Sequence, residues 1–291
     1  MIGTMGMVGV YAFVLGSLYL LMSLGFSLIC GVLRVFHLGY GLIFVMAVYV
    51  TWMFMENFGL GLIPAIASMC VVQCLFTLLV IYLPIVKRYI EKEELLLTSL
   101  LLVAIIIEEA ANYVYPVTAG VDIPTTIVPG SIKIGAASIP NQMLIAAGIA
   151  ILTTAMFIIF FLKSRSGLLM RAVSQDVRSA KLMGTSTERV YIYAMMLSII
   201  PPTICILVMV PFWSIEPYLG WPLLHTAILV AILGGLGNLR GSIIAAYILG
   251  LIAATVSFLI DPSLVPLVSL LVVVLILIFR PQGISRSESL W

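Results

Sequence analysis

Charge is scarce in this 291-residue chain, in which only 9% of the residues are Asp, Glu, Lys or Arg. Soluble globular proteins are about 25% charged and about half apolar, whereas this chain is 63% hydrophobic. Its mean hydropathy is +1.26. No basic tract indicates nucleic-acid binding, and little chain remains for a soluble catalytic domain. The composition therefore predicts a multi-pass membrane protein.

Three further absences narrow the function. The four cysteines lie in apolar stretches, without the spacing of metal ligands or of a secreted disulfide framework, so we expect buried small hydrophobic residues. No Lys or Arg precedes Arg34, so the apolar start lacks the basic region of a cleaved signal peptide. The sequence has no Gly-x-x-x-x-Gly-Lys-Ser/Thr phosphate loop. We therefore expect no catalytic residues, no metal site and no cofactor.

Apolar runs predict an all-α polytopic membrane bundle of about eight to ten transmembrane segments. Nine runs occupy residues 8–33, 42–56, 60–86, 95–115, 141–162, 190–212, 223–239, 242–260 and 264–279. Basic residues concentrate in 87–94, in 163–189 and in the tail with Arg280 and Arg286, which the positive-inside rule assigns to the cytoplasm. Threading nine passes through these points puts the N-terminus outside and the C-terminus in the cytoplasm. We treat residues 1–291 as a single transmembrane domain.

Two glycine-flanked stretches, 31–41 and 234–241, interrupt the apolar pattern, and each contains an Arg. Broken helices in matched positions of a transporter indicate a translocation site. We therefore expect two broken or re-entrant hairpins. The alternative is a pair of tight cytoplasmic turns in which Arg34 and Arg240 reach lipid headgroups.

The basic segment 163–189 holds an apolar stripe at helical spacing. Its members are Leu169, Val173, Val177, Ala180 and Met183. This spacing predicts one amphipathic helix over 169–183, with Gly184 as its stop. Such a helix lies on the membrane surface or in the groove of a soluble partner.

Four segments of the chain recur, in order, in one family of transporters. They are YLLMSLGFSLICGVLRVFHLGYG, LLMRAVSQDVRSAKLMGTSTERVY, AILGGLGNLRGSIIAAYILG and LIFRPQG. With them the chain resembles the permeases of the branched-chain amino acid ABC importers, from about residue 11 to 284. Any one segment is only moderately specific, but the four in register are a strong signal.

The resemblance implies a permease subunit in the inner membrane of a prokaryote. It would form the path of a small polar organic solute, by default a branched-chain or related amino acid, with urea, amides and aromatic acids also open. Two ATP-binding-cassette ATPases would hydrolyse the ATP, a second permease (a sister chain or a second copy) would complete the path, and an extracytoplasmic binding protein would deliver the solute. We expect contact with membrane lipid and none with nucleic acid.

In this family the cytoplasmic loop carries the coupling helix that docks on an ATPase. The resemblance therefore implies a coupling loop at 163–189, with these residues: Arg171, Asp176, Arg178, Lys181 and Gly184.

Six side chains are candidates for the substrate path: Arg34, His37, Tyr40, Glu108, Glu109 and Asn238. Tyr40 stands where the family usually has His. Glu108 and Glu109 lie inside an apolar span, where an acidic residue costs about 2.5–3.5 kcal/mol on insertion scales and is a functional candidate by default. The alternatives are a His bonded to backbone, an interfacial Tyr, and glutamates that bond a neighbouring helix or reach the outer interface.

Two rival functions remain at the level of sequence. A secondary transporter or channel would use His37, Glu108 and Glu109 as an ion relay, but would leave the basic loop without a purpose. An intramembrane enzyme would need a nucleophile or metal motif beside these acid and base candidates, and none accompanies them.

Overall fold

Helices make up most of the computed structural model, which describes residues 2–115, 123, 128–134, 137–212 and 215–285. The helices are α1 (Ile2–Val32), α2 (Gly41–Phe58), α3 (Leu62–Phe76), α4 (Lys87–Tyr89), α5 (Glu93–Val114), α6 (Asn141–Lys163), α7 (Arg165–Gln175), α8 (Val177–Leu182), α9 (Thr187–Met209), α10 (Gly220–Gly234), α11 (Leu239–Leu259) and α12 (Val265–Phe279). A π-helical segment, Thr77–Val86, joins α3 to α4. An antiparallel hairpin pairs β1 (Ser131–Ile134) with β2 (Ala137–Pro140).

The predicted all-α membrane bundle is confirmed. In the described part of the chain, eight helical segments are long and apolar enough to cross a membrane. They are Met5–Val32, Leu38–Phe58, Leu62–Tyr89, Asn141–Lys163, Thr187–Met209, Pro217–Gly234, Leu239–Leu259 and Pro262–Phe279. The remaining predicted run forms α5, which has 22 residues and carries four glutamates. Helices suit this setting because each satisfies its backbone hydrogen bonds internally.

The first helix is the centre of the bundle, and α6, α9, α10 and α11 pack around it. Of its most apolar window, 78% is buried, against 11% for the corresponding window of α12. A Cβ on Gly250 of α11 would lie 2.5 Å from the backbone nitrogen of Gly16. Small residues thus let the two backbones approach closely. Side-chain hydrogen bonds between Ser27 and Ser242 (2.9 Å) and between Ser17 and Tyr247 (3.1 Å) join the same two helices.

The expectation for the cysteines is half wrong. Cys205 is buried and Cys30 is half-buried, but Cys70 and Cys74 are exposed on α3. Spans in a bilayer turn apolar side chains outward as well as inward, since hydrocarbon surrounds them. An apolar run therefore does not predict which of its cysteines is buried in protein.

Candidate functional site

The first break, residues 33–37, separates α1 from α2. Arg34 has φ +56°, in the left-handed region that residues other than glycine seldom adopt. Its Nη2 donates to the carbonyls of Ser174 (3.0 Å) and Gln175 (3.2 Å), which lie at the C-terminal end of α7. Cations are favourable at this end of a helix. The structure therefore attaches Arg34 to the 163–189 loop.

His37 is 4% exposed at the end of this break, and its Nδ1 has no hydrogen-bond partner. The imidazole lines a cavity of about 10 Å³, together with Gln73, Thr77 and Ser198. That is room for about one water molecule.

Tyr40 is fully buried beside His37, with 6.5 Å between the ring centroids. Its ring packs edge-on against Phe26 and Phe44. The hydroxyl donates to the carbonyl of Met22 (3.2 Å) in α1. It also lies 3.5 Å from the carbonyl oxygen of Ser198 in α9. In a regular helix this oxygen accepts from the backbone N–H four residues later, but residue 202 is a proline and has no N–H. Tyr40 thus joins α1 and α9 from a position in the core.

Gln73 and Thr203 were missed by sequence reasoning, although both are buried polar residues inside apolar runs. Gln73 Nε2 donates to the carbonyl of Ile43 (2.9 Å), and its Oε1 accepts from the Thr203 hydroxyl (2.9 Å). These two bonds connect α2, α3 and α9 next to the His37 cavity. A search for any polar residue in a span, charged or not, finds both.

The two glutamates of α5 contact the start of α10 and the turn before it. Glu108 is 5% exposed and hydrogen-bonds the side chain of Trp221. Glu109 is exposed and accepts from the hydroxyl of Tyr218 (3.1 Å), which accepts in turn from Asn112 Nδ2 (3.0 Å). The alternative of a bond to a neighbouring helix is therefore realised for both glutamates.

Three of the residues predicted for the path, His37, Glu108 and Glu109, lie on or near α5. A Cβ on Gly39 would be 3.0 Å from the carbonyl of Leu100, so the His37 region packs against the middle of this helix. Glu108 is eight residues further on, which corresponds to ~12 Å of helical rise. Arg34 and Asn238 are held in other contacts.

The second break, residues 235–238, separates α10 from α11. Gly235 and Gly237 have φ +97° and +80°. Asn238 is 3% exposed, and its Oδ1 accepts from the backbone N–H of Gly241 (3.0 Å), which makes it the N-cap of α11. Arg240 is exposed.

The turn after α12 completes this second break. A Cβ on Gly283 would lie 2.8 Å from the Gly235 nitrogen, and the Ile284 N–H donates to the carbonyl of Leu233 (2.8 Å). Asn238 Nδ2 donates to the Ser285 hydroxyl (2.9 Å). Two of the four recognised segments therefore form one local structure. Arg286 of the predicted basic tail lies outside the described residues.

The prediction of a single helix over 169–183 is wrong. The chain forms α7 and α8, which are divided at Asp176 by extended backbone (φ −151°, ψ 110°). The Asp176 carboxylate accepts from the Arg178 N–H (2.9 Å) and from the Ser179 hydroxyl, so it caps α8. These bonds hold the pKa of Asp176 below its usual value of 3.8, with the Ser179 bond the largest cause.

The predicted apolar stripe does not form one buried face. Val173 and Ala180 are buried, whereas Leu169 and Met183 are exposed. Gly184 has φ +81° just beyond α8, which confirms it as the stop.

The predicted coupling residues fall into two groups. Arg171 Nη2 donates to the carbonyl of Leu162 (3.1 Å) at the end of α6, and with Asp176 and Gly184 it shapes the loop. Arg178 and Lys181 are exposed beside Leu182 and Met183. These last two apolar side chains are 89% and 85% exposed. We call Arg178, Lys181, Leu182 and Met183 the α8 surface.

Nothing in the described residues suggests metal chemistry, since no three His, Cys, Asp or Glu side chains gather there as a metal site. The arrangement instead has buried polar groups between helices and an exposed loop. The family model described as the permease component of the branched-chain amino acid transport system matches residues 9–279. The chain belongs to this family.

Individual relatives of the permease family agree over nearly the whole chain. The high-affinity branched-chain amino acid transport system permease proteins LivH of Salmonella typhimurium and of Escherichia coli K12 are 26% and 24% identical to it over 288 residues. Each alignment covers 93% of this chain and 92% of the relative. BraD of Pseudomonas aeruginosa, which bears the same descriptive name, is 21% identical over 290 residues, 92% of each chain. No solved structure matches the chain.

This protein is therefore a multi-pass inner-membrane permease component. A secondary transporter or channel is not favoured, because permeases of this family belong to ATP-driven systems that work with ATPase and binding-protein partners.

Proposed function

We propose that this chain forms the substrate path of an ATP-driven importer for branched-chain or related amino acids. In this assembly two ATPase subunits hydrolyse the ATP, a second permease completes the path, and an extracytoplasmic binding protein delivers the solute. The similarity to permeases of branched-chain amino acid systems over nearly the whole chain supports this solute class.

The observation that carries the proposal is the exposed α8 surface. Leu182 and Met183 project from a loop that also holds Arg178 and Lys181, and an exposed apolar patch with a polar rim marks an interaction site. An apolar pair with a basic rim is suited to a groove in a soluble partner. We assign this partner as the ATPase. Arg171, Asp176 and Gly184 then give the surface its shape.

Contacts between predicted cytoplasmic segments support an orientation with the N-terminus outside. Lys87 of the first basic segment pairs with Glu188 of the loop. Arg34 bonds the end of α7, so the first break lies on the same side. A common side for these segments is what the positive-inside rule requires.

Within the permease, we place the path along α5, past His37 and toward Glu108 and Glu109. Glu108 bonds Trp221, and Glu109 bonds Tyr218. In the proposed orientation these two carboxylates lie toward the extracytoplasmic end of α5. An ammonium group of an amino acid fits this site. Tyr40, Arg34 and Asn238 act on the path through the helices that they join.

Replacement of Leu182 tests the docking surface. Leu182→Glu places a charge in the proposed apolar contact, and Leu182→Met keeps its volume and character. We expect the ATPase subunits to co-purify with the Met variant as with the parent, and about tenfold less with the Glu variant, the loss that ~1.4 kcal/mol produces. Equal recovery with Leu182→Glu would contradict the docking assignment. Solute-driven uptake by an ATPase-free complex would contradict the proposed function itself.

A further inference from the structure

The small cavity at His37 has the features of a closed site for a ligand group. His37 is more than nine-tenths buried and its imidazole lines the cavity, and Nδ1 has no hydrogen-bond partner among the described residues. A buried polar atom without a hydrogen bond destabilises the fold, so such atoms are rare in proteins unless a ligand or a solvent molecule bonds them.

The lining of this cavity combines two chemistries. Hydrogen-bonding groups come from His37, Thr77 and Ser198, and the Ser198 hydroxyl donates to the carbonyl of Met195 (2.7 Å). Aliphatic side chains such as Ile43 and Ile199 line the rest. The lining includes no Asp, Glu, Lys or Arg. A small aliphatic solute with a hydrogen-bonding head is complementary to both parts.

One wall of the cavity is unusual in its backbone. Thr77 and Ile81 belong to the π-helical segment, whereas π-helix accounts for well under 1% of residues and appears mostly as single turns at functional sites. Pro84 lies in the same segment and has no N–H to donate. The hydrogen bonding of this wall therefore departs from that of a regular α-helix, which makes it a candidate for rearrangement.

We infer that the His37 cavity is a closed gate of the substrate path. The gate opens when the π-helical wall moves. His37, Thr77 and Ser198 then form hydrogen bonds with the polar head of the solute. With a volume of about 10 Å³ it admits no amino acid in the present conformation. The inference rests on the proposed function, which supplies both the solute and the ATP-driven movement.

Thiol accessibility tests the gate without knowledge of the solute. In a chain whose four cysteines are replaced, Ser198→Cys places a thiol in the cavity, and Ser23→Cys is its matched control. Both serines are buried and both donate to the carbonyl three residues earlier, but Ser23 does not line the cavity. The probe is a small cationic methanethiosulfonate, applied to the reconstituted complex with and without ATP turnover.

We expect the Ser198→Cys thiol to react about tenfold faster or more during turnover, and the Ser23→Cys thiol to stay unreactive in both states, because only an opened site admits the reagent. A Ser198→Cys thiol that stays unreactive in a complex with normal uptake would overturn the gate and leave the proposed function intact. Equal acceleration at both positions would overturn it also, since general loosening would explain the result.

Substitution of His37 provides a second measurement. His37→Phe fills the cavity and removes its polar atoms, whereas His37→Gln keeps a donor and an acceptor. We expect the Phe variant to co-purify with its partners but to lose uptake about tenfold or more, and the Gln variant to keep most of it, because a path closed by a ring admits no solute. Parental uptake by the Phe variant would refute the gate. ATP turnover without uptake in the parent would refute the proposed function.

Discussion

The two breaks lie in similar sequences, since the stretches 31–41 and 234–241 each contain an Arg flanked by glycines, but they are held in different ways. At the first break, a side chain makes the long-range contact, because Arg34 reaches carbonyls 140 and 141 residues away. At the second, glycine backbones touch directly, and a Cβ on Gly241 would lie 1.8 Å from the Gly234 oxygen. Local composition therefore predicts that a helix ends but not what holds the end.

This difference assigns different roles to the breaks. Backbone contacts between glycines allow little adjustment, and the Asn238–Ser285 hydrogen bond adds to them, so the second break is a fixed corner between α10 and α11. A guanidinium on a flexible stem tolerates small displacements of its acceptor. The attachment of the first break to the loop therefore tolerates small displacements of α7, and His37 lies three residues from that attachment.

The largest effect is expected from Gly241→Ala at the second break. The added Cβ meets the Gly234 carbonyl, so the two helices must separate, at a cost of about 3 kcal/mol or more. Thermal unfolding of the detergent-solubilised protein measures the loss. Gly148→Ala in α6 is the control, since no atom lies within 4 Å of its added Cβ, and its melting temperature should be equal or slightly higher. Equal melting temperatures of the Gly241→Ala and Gly148→Ala variants would contradict the inference that the second break is a fixed corner.

A smaller loss is expected from Asn238→Ala. The variant removes the N-cap of α11, which costs about 1 kcal/mol. Asn238→Asp keeps an oxygen acceptor for the Gly241 N–H and should recover most of the melting temperature. If Asn238→Asp instead transports less while its stability is normal, Asn238 contacts the solute, and the second break belongs to the path.

At the first break, Arg34→Gly separates backbone strain from side-chain attachment. Glycine accepts φ +56° without strain but provides no hydrogen-bond donors for α7. Alanine at position 34 provides no donors either, and it is strained at this φ. We expect the stability of the Gly variant to fall by at most about 1 kcal/mol. In both variants the amount of solute transported per ATP should fall. A Gly variant that couples normally would show that only the backbone turn is needed.

The smallest effect concerns pH and the cap at Asp176. Because folding lowers its pKa, the cap stabilises α8 fully above the usual value of 3.8 and is lost only as pH falls through the lowered value. Protease cleavage between α7 and α8 should therefore not change from neutral pH down to about 3.8. Asp176→Asn should be cleaved faster over this whole pH range, because its neutral amide is a weaker acceptor than the carboxylate. Equal cleavage of the parent and of the Asp176→Asn variant at neutral pH would show that the carboxylate does not hold α8.

Eight of the nine apolar runs predicted as spans form helices long and apolar enough to cross a membrane, because apolar length alone specifies a helix in hydrocarbon. Gly184 was also predictable, since a glycine after an apolar stripe is typical of a helix end. The role of Asp176 as the N-cap of α8 was not predicted, although Asp is a preferred N-cap residue. The apolar stripe from Leu169 to Met183 continues at helical spacing across Asp176, so its periodicity conceals the helix end at this residue.

Partners distant in the chain were beyond sequence reasoning. Glu108 was identified as unusual, but its bond to Trp221 depends on how α5 meets α10. Gln73 and Thr203 are joined across 130 residues and carry no charge to draw attention. Tyr40 was predicted for the path and lies in the core, because an aromatic ring beside a break suits either environment.

The contact between Gly235 and Gly283 also has a consequence for the order of synthesis. Residue 283 leaves the ribosome after residue 235 by about 50 residues of elongation, which corresponds to about 3–10 s at ordinary rates. During that interval the corner between α10 and α11 lacks the Ile284 bond to Leu233 and the packing of Gly283. A nascent permease halted before α12 therefore has a corner between α10 and α11 that is held only by contacts within these two helices and their connection.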